Sequence, residues 1–132
     1  MKPAYFELVI YCGTTMEPAS EYFIYEVDGA PVNLSGYTAS LVARDKTGAK
    51  LLSLDTDNGG IVIAPLLGRI GLSATAAQTA ALQRHINGAP TKQVDGMPQY
   101  AVGKWSMELD NAGTVTRLLQ GDLVLSPEYT YA

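Results

Sequence analysis

The sequence has one cysteine and one histidine, and this scarcity bears directly on function. With Cys12 alone, the chain can form neither an internal disulfide nor a cysteine-rich metal site. The alternating pattern around Cys12 indicates a small buried side chain. A nucleophilic thiol would need a histidine base, and His85 lies in a stretch rich in glycine and proline. We therefore expect no nucleophilic chemistry, no metal and no cofactor.

The chain also lacks a basic run, a long apolar run and a secretory signal. Its 13 acidic residues outnumber nine basic ones, so we expect no nucleic-acid partner. The longest apolar stretch, residues 61–67, contains Pro65 and is too short to cross a bilayer, so we expect no membrane insertion. Glu7 falls where a signal peptide would need apolar residues, which predicts synthesis in the cytoplasm without export.

What the sequence does contain is the composition of one globular domain. Its 132 residues are 47% hydrophobic and 17% charged, which is enough apolar material for a core without disulfides or metal. We therefore predict a single domain spanning residues 1–132.

Alternation of apolar and polar residues predicts β-strands along most of the chain. The clearest strand begins at Tyr37. Other alternating sets predict strands near both ends: Phe6, Leu8, Ile10 and Cys12; Phe23, Tyr25 and Val27; Trp105, Met107 and Leu109; Leu119, Gly121, Leu123 and Leu125. The last two strands should pair as a hairpin through the turn at 111–113, and Gly121 indicates a bulge or a close backbone approach. About seven to nine short strands predict an all-β sandwich.

A short helix is predicted at about residues 75–83, because Thr75 and Gln78 have the spacing of a capping box. The glycine- and proline-rich segment that follows, residues 84–99, is predicted to be a long loop that faces a partner. Tyr129 and Tyr131, near the chain end, have little chance of burial inside a monomer, and tyrosine is common at interfaces. The predicted partner contacts are His85, Asn87, Lys92, Gln93, Met97, Tyr129 and Tyr131.

Three motifs have both a functional and a structural interpretation. Residues 55–59 resemble the start of a calcium loop, but Gly59 and Leu66 stand where further oxygen ligands are needed, which favours a plain hairpin turn. Carboxylates such as Glu108 and Asp110 could pair for glycoside hydrolysis, but their spacing does not separate them from a solvated surface. Trp105 could stack on a sugar, although its alternation with Met107 and Leu109 favours the core.

The order of several segments resembles a family of small structural proteins from tailed phages and prophages. The segments that carry the resemblance are Gly13-Thr14-Thr15, residues 28–39, Asn58-Gly59-Gly60-Ile61, residues 73–82, Trp105-Ser106-Met107-Glu108-Leu109 and residues 115–121. This family is similar in layout to the N-terminal domain of phage upper baseplate proteins. The resemblance covers residues 13–128 and implies an immunoglobulin-like, antiparallel β-sandwich.

The resemblance also implies a function: a non-catalytic assembly module of the tail, baseplate or connector, located in the virion and made in the host bacterial cytoplasm. Its partners would be other phage structural proteins, and it would be a homo-oligomer or present in many copies per particle. The chain ends just after the last predicted strand, which suits a module that joins or decorates. The alternatives are a capsid decoration protein and a carbohydrate-binding or hydrolytic sandwich that uses Trp105, tyrosines and a carboxylate pair.

Overall fold

A computed structural model describes residues 3–128, most of which form strands. The strands are β1 (Ala4–Tyr5), β2 (Leu8–Tyr11), β3 (Tyr22–Ile24), β4 (Glu26–Val27), β5 (Ala30–Pro31), β6 (Thr38–Asp45), β7 (Lys50–Asp55), β8 (Ile61–Ala64), β9 (Arg69–Leu72), β10 (Lys92–Val94), β11 (Met97–Asn111) and β12 (Thr114–Ser126). The α-helix α1 (Ala76–Ala81) and two 3₁₀ turns (Pro65–Leu67 and Leu82–His85) complete the described elements.

The larger sheet has the strand order β1-β12-β11-β6-β7, with β2 beside β12 and β10 beside β11. The hairpin of β11 and β12, predicted from the sequence, is confirmed and forms the centre of this sheet. On β6, Ala39, Leu41 and Ala43 are buried while Thr38 and Ser40 are exposed, as the alternation predicts.

The N-terminal strands are the exception to the predicted antiparallel pairing. β1 and β2 both pair with β12 in parallel, with Ala4 opposite Leu119 and Leu8 opposite Leu123. The other strand pairs between residues 3 and 128 are antiparallel. One edge of the larger sheet is therefore formed by the two short strands β1 and β2, and β7 lies at the opposite edge.

A smaller sheet, with the order β3-β9-β8, covers the larger one. Ile70 and Leu72 of β9 are buried in one continuous core with Leu41, Met107 and Leu123 of the larger sheet. The predicted all-β sandwich is confirmed, because apolar faces of two sheets pack on each other.

Two local predictions differ from the structure. The second predicted strand is broken: β3 belongs to the smaller sheet, whereas β4 pairs with β5 in a separate ribbon and leaves Val27 exposed. The turn after β7 does not close a hairpin, because β7 belongs to the larger sheet and β8 to the smaller one. This turn carries the chain from one layer of the sandwich to the other.

The predicted helix and its capping box are confirmed. The Thr75 hydroxyl accepts a hydrogen bond from the Gln78 amide, and the Gln78 side chain accepts one from the Thr75 amide. Thr79 is buried and fixes the helix to the turn after β2: its hydroxyl accepts from the Gly13 N–H at 3.0 Å and donates to the Thr14 carbonyl at 2.7 Å.

The segment predicted as a loop, residues 84–99, is only partly irregular. Its second half forms a hairpin with a two-residue turn, in which β10 pairs with the first residues of β11. Asp95 and Gly96 both have positive φ, +52° and +78°, as a tight hairpin turn of this kind requires. The central strand β11 therefore starts earlier than predicted, at Met97.

Candidate functional site

The hairpin of β10 and β11 sorts its side chains onto two faces. Val94 is paired with Met97 and Lys92 with Gln99, while Gln93 is paired with Pro98. Directly opposed residues of an antiparallel pair point to the same face, and successive pairs alternate. One face of the hairpin therefore carries Lys92, Val94, Met97 and Gln99, and the other carries Gln93.

Two hydrogen bonds hold the start of β10 against β11, and one salt bridge joins the hairpin to the chain before β2. The Thr91 amide donates to the Gln99 carbonyl at 2.8 Å, and the Thr91 hydroxyl accepts from the Ala101 amide at 2.9 Å. Lys92 forms a salt bridge with Glu7, which lies just before β2. A bridge this exposed contributes little stability, but it sets the side of the hairpin that faces β2.

Between the hairpin and the ends of β2 and β12 lies a groove of about 500 Å³, which we call the hairpin groove. Its lining comprises Tyr11, Cys12, Gly13, Thr14, Val94, Asp95, Met97, Gln99, Ser126, Pro127 and Glu128. The side chains of Tyr11 and Met97 are large and apolar, yet they are 53% and 47% exposed. Exposed apolar groups concentrated at one place on a domain are typical of an interaction surface.

Cys12, Gln99 and Ser126 are the buried members of this lining. Burial raises the pKa of the Cys12 thiol to about 11, so the thiol stays protonated at neutral pH and is a poor nucleophile. Gln99 is 3% exposed, and its side-chain oxygen has no hydrogen-bond partner among the described residues. The groove therefore has an apolar rim that can contact a partner, and its thiol is not activated for catalysis.

The structure brings together some of the predicted partner contacts. Lys92 and Met97 share the groove face, whereas Gln93 lies on the opposite face and Asn87 is exposed in the preceding irregular segment. His85 is half-buried at the end of the 3₁₀ turn, where its Nε2 accepts from the Arg84 side chain at 3.3 Å. Tyr129 and Tyr131 lie outside the described residues.

Tyr11 and Val94 belong to this surface but are absent from the sequence-based prediction. Tyr11 lies on the outward phase of the first alternating strand, and Val94 precedes the Asp95-Gly96 pair. An Asp-Gly pair between apolar residues is itself a hairpin signal. That signal, applied to residues 94–97, would have identified Val94 and Met97 as neighbours.

A second apolar surface lies at the open side of the sandwich. This edge groove has a volume of about 590 Å³. It is lined by Ala4, Phe6, Tyr22, Phe23, Ile24, Tyr25, Glu26, Leu118 and Leu119. The Phe6 and Phe23 rings meet edge-to-face with centroids 5.1 Å apart, so Phe6 forms a wall of the groove and Phe23 part of its floor.

Trp105 lies behind this groove and is buried at 2% exposure. Its ring stacks on Phe23 at 5.9 Å, and its indole N–H donates to the Phe6 carbonyl at 2.8 Å. The core interpretation of Trp105 is confirmed. A sugar platform needs an exposed aromatic face, so Trp105 cannot serve in the predicted carbohydrate site.

Four carboxylates, those of Asp55, Asp57, Glu108 and Asp110, line one cleft of about 240 Å³. In the turn at 55–59, the Asp55 carboxylate accepts from the Asn58 amide at 2.6 Å, so it caps its own turn. On the outer face of β11 and β12, a carboxylate oxygen of Glu108 lies 3.7 Å from a guanidinium nitrogen of Arg117. Among residues 3–128, no three histidine, cysteine or acidic side chains lie close enough together to hold a metal ion.

Another polar cluster lies on the outer face of the larger sheet. The Asp122 carboxylate accepts hydrogen bonds from Lys104 and from the Tyr5 hydroxyl. These two bonds lower the pKa of Asp122, with Lys104 making the larger contribution. The same bonds raise the pKa values of Lys104 and Tyr5. The cluster joins β1, β11 and β12 and has no unpaired charge of its own to offer a ligand.

In the stretch 3–128, no helix combines the length and the apolar character needed to cross a membrane. Compared with known protein families, the chain matches no family model, and a comparison with curated proteins finds no match.

Proposed function

We propose that this chain is a non-catalytic assembly module that binds another protein through the hairpin groove. The observation that carries the proposal is the exposure of Tyr11, Val94 and Met97 around one groove, beside a hairpin whose second strand continues into the larger sheet as β11. Tyrosine and methionine are enriched at protein interfaces, where large apolar groups leave water. A fixed hairpin loses little conformational entropy on binding, which favours affinity.

The polar groups around this groove suit a protein partner better than a reacting substrate. Lys92 is bridged to Glu7, and the Cys12 thiol is held protonated. The apolar groups thus supply the driving force for binding, at about 25 cal/mol for each Å² removed from water. Polar groups at the rim of the groove determine the orientation of the partner and add little affinity.

The place of this module in a phage particle rests on the sequence resemblance. We propose a virion protein of the tail, baseplate or connector, present in several copies or as a homo-oligomer, whose partners are other phage structural proteins. Decoration of the capsid is the alternative within the same class. Copy number separates the two, because a decoration protein occurs in proportion to the major capsid protein.

Quantitative mass spectrometry of purified particles, produced by the genome that encodes the chain, is the direct test. An abundance comparable with tail proteins supports the proposal, and an abundance comparable with the major capsid protein supports decoration instead. Absence from the particles refutes the virion role in both forms.

A matched pair of variants tests the hairpin groove. Met97→Asp places a charge in the groove, and Gln93→Asp places the same charge on the opposite face of the same hairpin. We expect M97D to lower the number of copies per particle several-fold, whereas Q93D incorporates normally and both proteins keep their melting temperature. Equal incorporation of the two variants would show that the partner binds elsewhere. Replacing Glu108 or Asp110 by Ala should also leave assembly intact.

A further inference from the structure

Strand β3 has one edge that pairs with no described strand. On its other side, the Glu21 carbonyl accepts from the Leu72 amide and the Tyr25 amide donates to the Gly68 carbonyl, both at 2.8 Å. Backbone groups of an antiparallel strand point alternately to either side. The N–H and C=O groups of Tyr22 and Ile24 therefore point away from β9, toward the open edge.

The edge groove extends along this strand. A second cleft of about 260 Å³ shares Phe6, Tyr22 and Phe23 with the edge groove and continues past Ser20 toward Val9. Together the two clefts follow residues 20–26, a length of roughly 20 Å for extended chain. A long, narrow, apolar depression beside an unpaired strand matches an extended peptide better than a compact small molecule.

The charge along this depression has one sign. Its lining includes Glu7, Glu21 and Glu26, and neither cleft is lined by a lysine or an arginine. Glu7 is already bridged to Lys92, so Glu21 and Glu26 supply the charge for a ligand. Glu21 and Glu26 bracket the apolar residues 22–25 in the sequence, one just before β3 and the other at the start of β4. Arg69, which is paired with Ile24 in the sheet, is stacked on the Tyr22 ring at 4.5 Å. The complementary ligand is therefore apolar in its middle and basic at its ends.

We propose that β3 accepts an added strand: an extended segment of a partner protein that carries alternating apolar side chains between flanking lysine or arginine residues. Its backbone pairs with Tyr22 and Ile24, and its apolar side chains enter the edge groove over Phe23 and Leu119. A second copy of this chain is disfavoured, since its own β3 would bring the same two glutamates to the groove. This inference shares with the proposed function only the premise that the partner is a protein.

The test uses a panel of fluorescent peptides of about eight residues, with Val, Ile, Leu or Phe at alternate positions and Lys at both ends. The full-length protein should bind at least one of them in fluorescence polarisation. Two control peptides keep the same apolar side chains: one is N-methylated at the amides that would pair, and the other has Glu in place of Lys. Each control should bind at least about tenfold more weakly, because it loses either backbone hydrogen bonds or charge complementarity.

Amide hydrogen exchange locates the added strand. The peptide should slow exchange at Tyr22 and Ile24, the two residues whose N–H groups face the edge, and leave Phe23 unchanged. Ile24→Lys should abolish binding, whereas Val62→Lys should not. Val62 is the matched control, since it lies on β8 at the other edge of the same sheet and is 49% exposed, against 50% for Ile24.

Four outcomes would overturn the inference. They are no binding by the panel at concentrations up to about 1 mM, equal binding of the N-methylated peptide, loss of binding in V62K rather than I24K, and concentration-dependent protection of Tyr22 and Ile24 without peptide. The last outcome would identify a second copy as the occupant. If no peptide binds at β3 but M97D is still excluded from particles, the strand inference fails and the proposed assembly function stands. If peptides bind at β3 but M97D is incorporated normally, the strand inference stands and the proposed role of the hairpin groove fails.

Discussion

Replacing Gly121 by alanine tests how closely the N-terminal strands pack against β12. Gly121 lies on β12, opposite Trp105, and the chain between β1 and β2 passes directly over it. A Cβ atom at this position would lie 1.9 Å from the Phe6 carbonyl oxygen, where ordinary contact begins near 3.4 Å. The Phe6 backbone would therefore have to move by about 1.5 Å.

Two hydrogen bonds determine the size of the effect. The Phe6 amide donates to the Gln120 carbonyl at 2.8 Å, and the Phe6 carbonyl accepts from the Trp105 indole N–H at 2.8 Å. Losing the backbone bond costs about 1 kcal/mol, and leaving the buried indole N–H unpaired costs about 1–3 kcal/mol. We expect Gly121→Ala to lower the free energy of unfolding by about 2–4 kcal/mol.

Urea unfolding measures this difference, and the fluorescence of Trp105, the single tryptophan, reports its cause. The emission of G121A should shift to the red, because the indole gains contact with water. Gly113→Asn is the control: nothing lies within 4 Å of its Cβ position, and asparagine tolerates positive φ, so we expect a cost below about 1 kcal/mol. A G121A protein within about 0.5 kcal/mol of wild type, with unchanged emission, would refute the close approach as a source of stability.

Three further predictions concern other buried or paired groups. Thr79→Val should lower the free energy of unfolding by about 1–3 kcal/mol, because the hydroxyl that bonds the Thr14 carbonyl is lost; an unchanged urea midpoint would contradict this. The Cys12 thiol, buried and with its pKa raised to about 11, should react with Ellman's reagent at least about a hundredfold more slowly in the native protein than in urea, and equal rates would contradict its burial. Asp122 has a lowered pKa in the folded state, so its bond to Lys104 stabilises the protein above the unfolded pKa of about 3.9, and this stability is lost as pH falls through the folded pKa. Asp122→Asn should therefore destabilise the protein at pH 7 but not near pH 2, and the difference should shrink in high salt; equal destabilisation at both pH values would exclude the charge as its cause.

The parts of the fold that could be predicted from the sequence are those determined by neighbouring residues. Alternation on β6 follows from the two-residue period of a strand, and the capping box of α1 follows from the spacing of Thr75 and Gln78. Gly121 was predicted to allow a bulge or a close approach, and a close approach is found. The first two features depend on residues a few positions apart in the sequence. The third depends only on the absence of a side chain at Gly121.

Pairing between distant segments could not be predicted in this way. The parallel contact of β2 with β12 joins residues more than a hundred positions apart, and no local pattern distinguishes it from an antiparallel contact. The hairpin groove is an intermediate case. The abundance of glycine and proline favoured a loop at 84–99, whereas the Asp95-Gly96 pair, flanked by Val94 and Met97, carried a local signal for the hairpin.

Phe6 shows why the edge groove in particular could not be predicted. Its phase matches that of Leu8 and Ile10, which are buried, yet Phe6 is 47% exposed. The difference arises because Phe6 lies between β1 and β2 at the edge of the sheet, where no described strand covers it laterally. An alternating sequence pattern indicates which side chains share one face of a strand. It does not indicate whether another strand lies beside that strand and covers those side chains.

The same residue connects the stability of this edge with its proposed use. Phe6 forms a wall of the groove, and its backbone can lie where it does because Gly121 has no side chain. Moving Phe6 by about 1.5 Å would disturb the edge groove beside Phe23. Its effect on the hairpin of β10 and β11 would pass through the exposed bridge between Glu7 and Lys92, and neither Phe6 nor Glu7 lines the hairpin groove. Under mild conditions, in which G121A is still folded, the variant should lose peptide binding at the β3 edge before it loses incorporation through the hairpin groove. Simultaneous loss of both would mean that the two surfaces do not act independently.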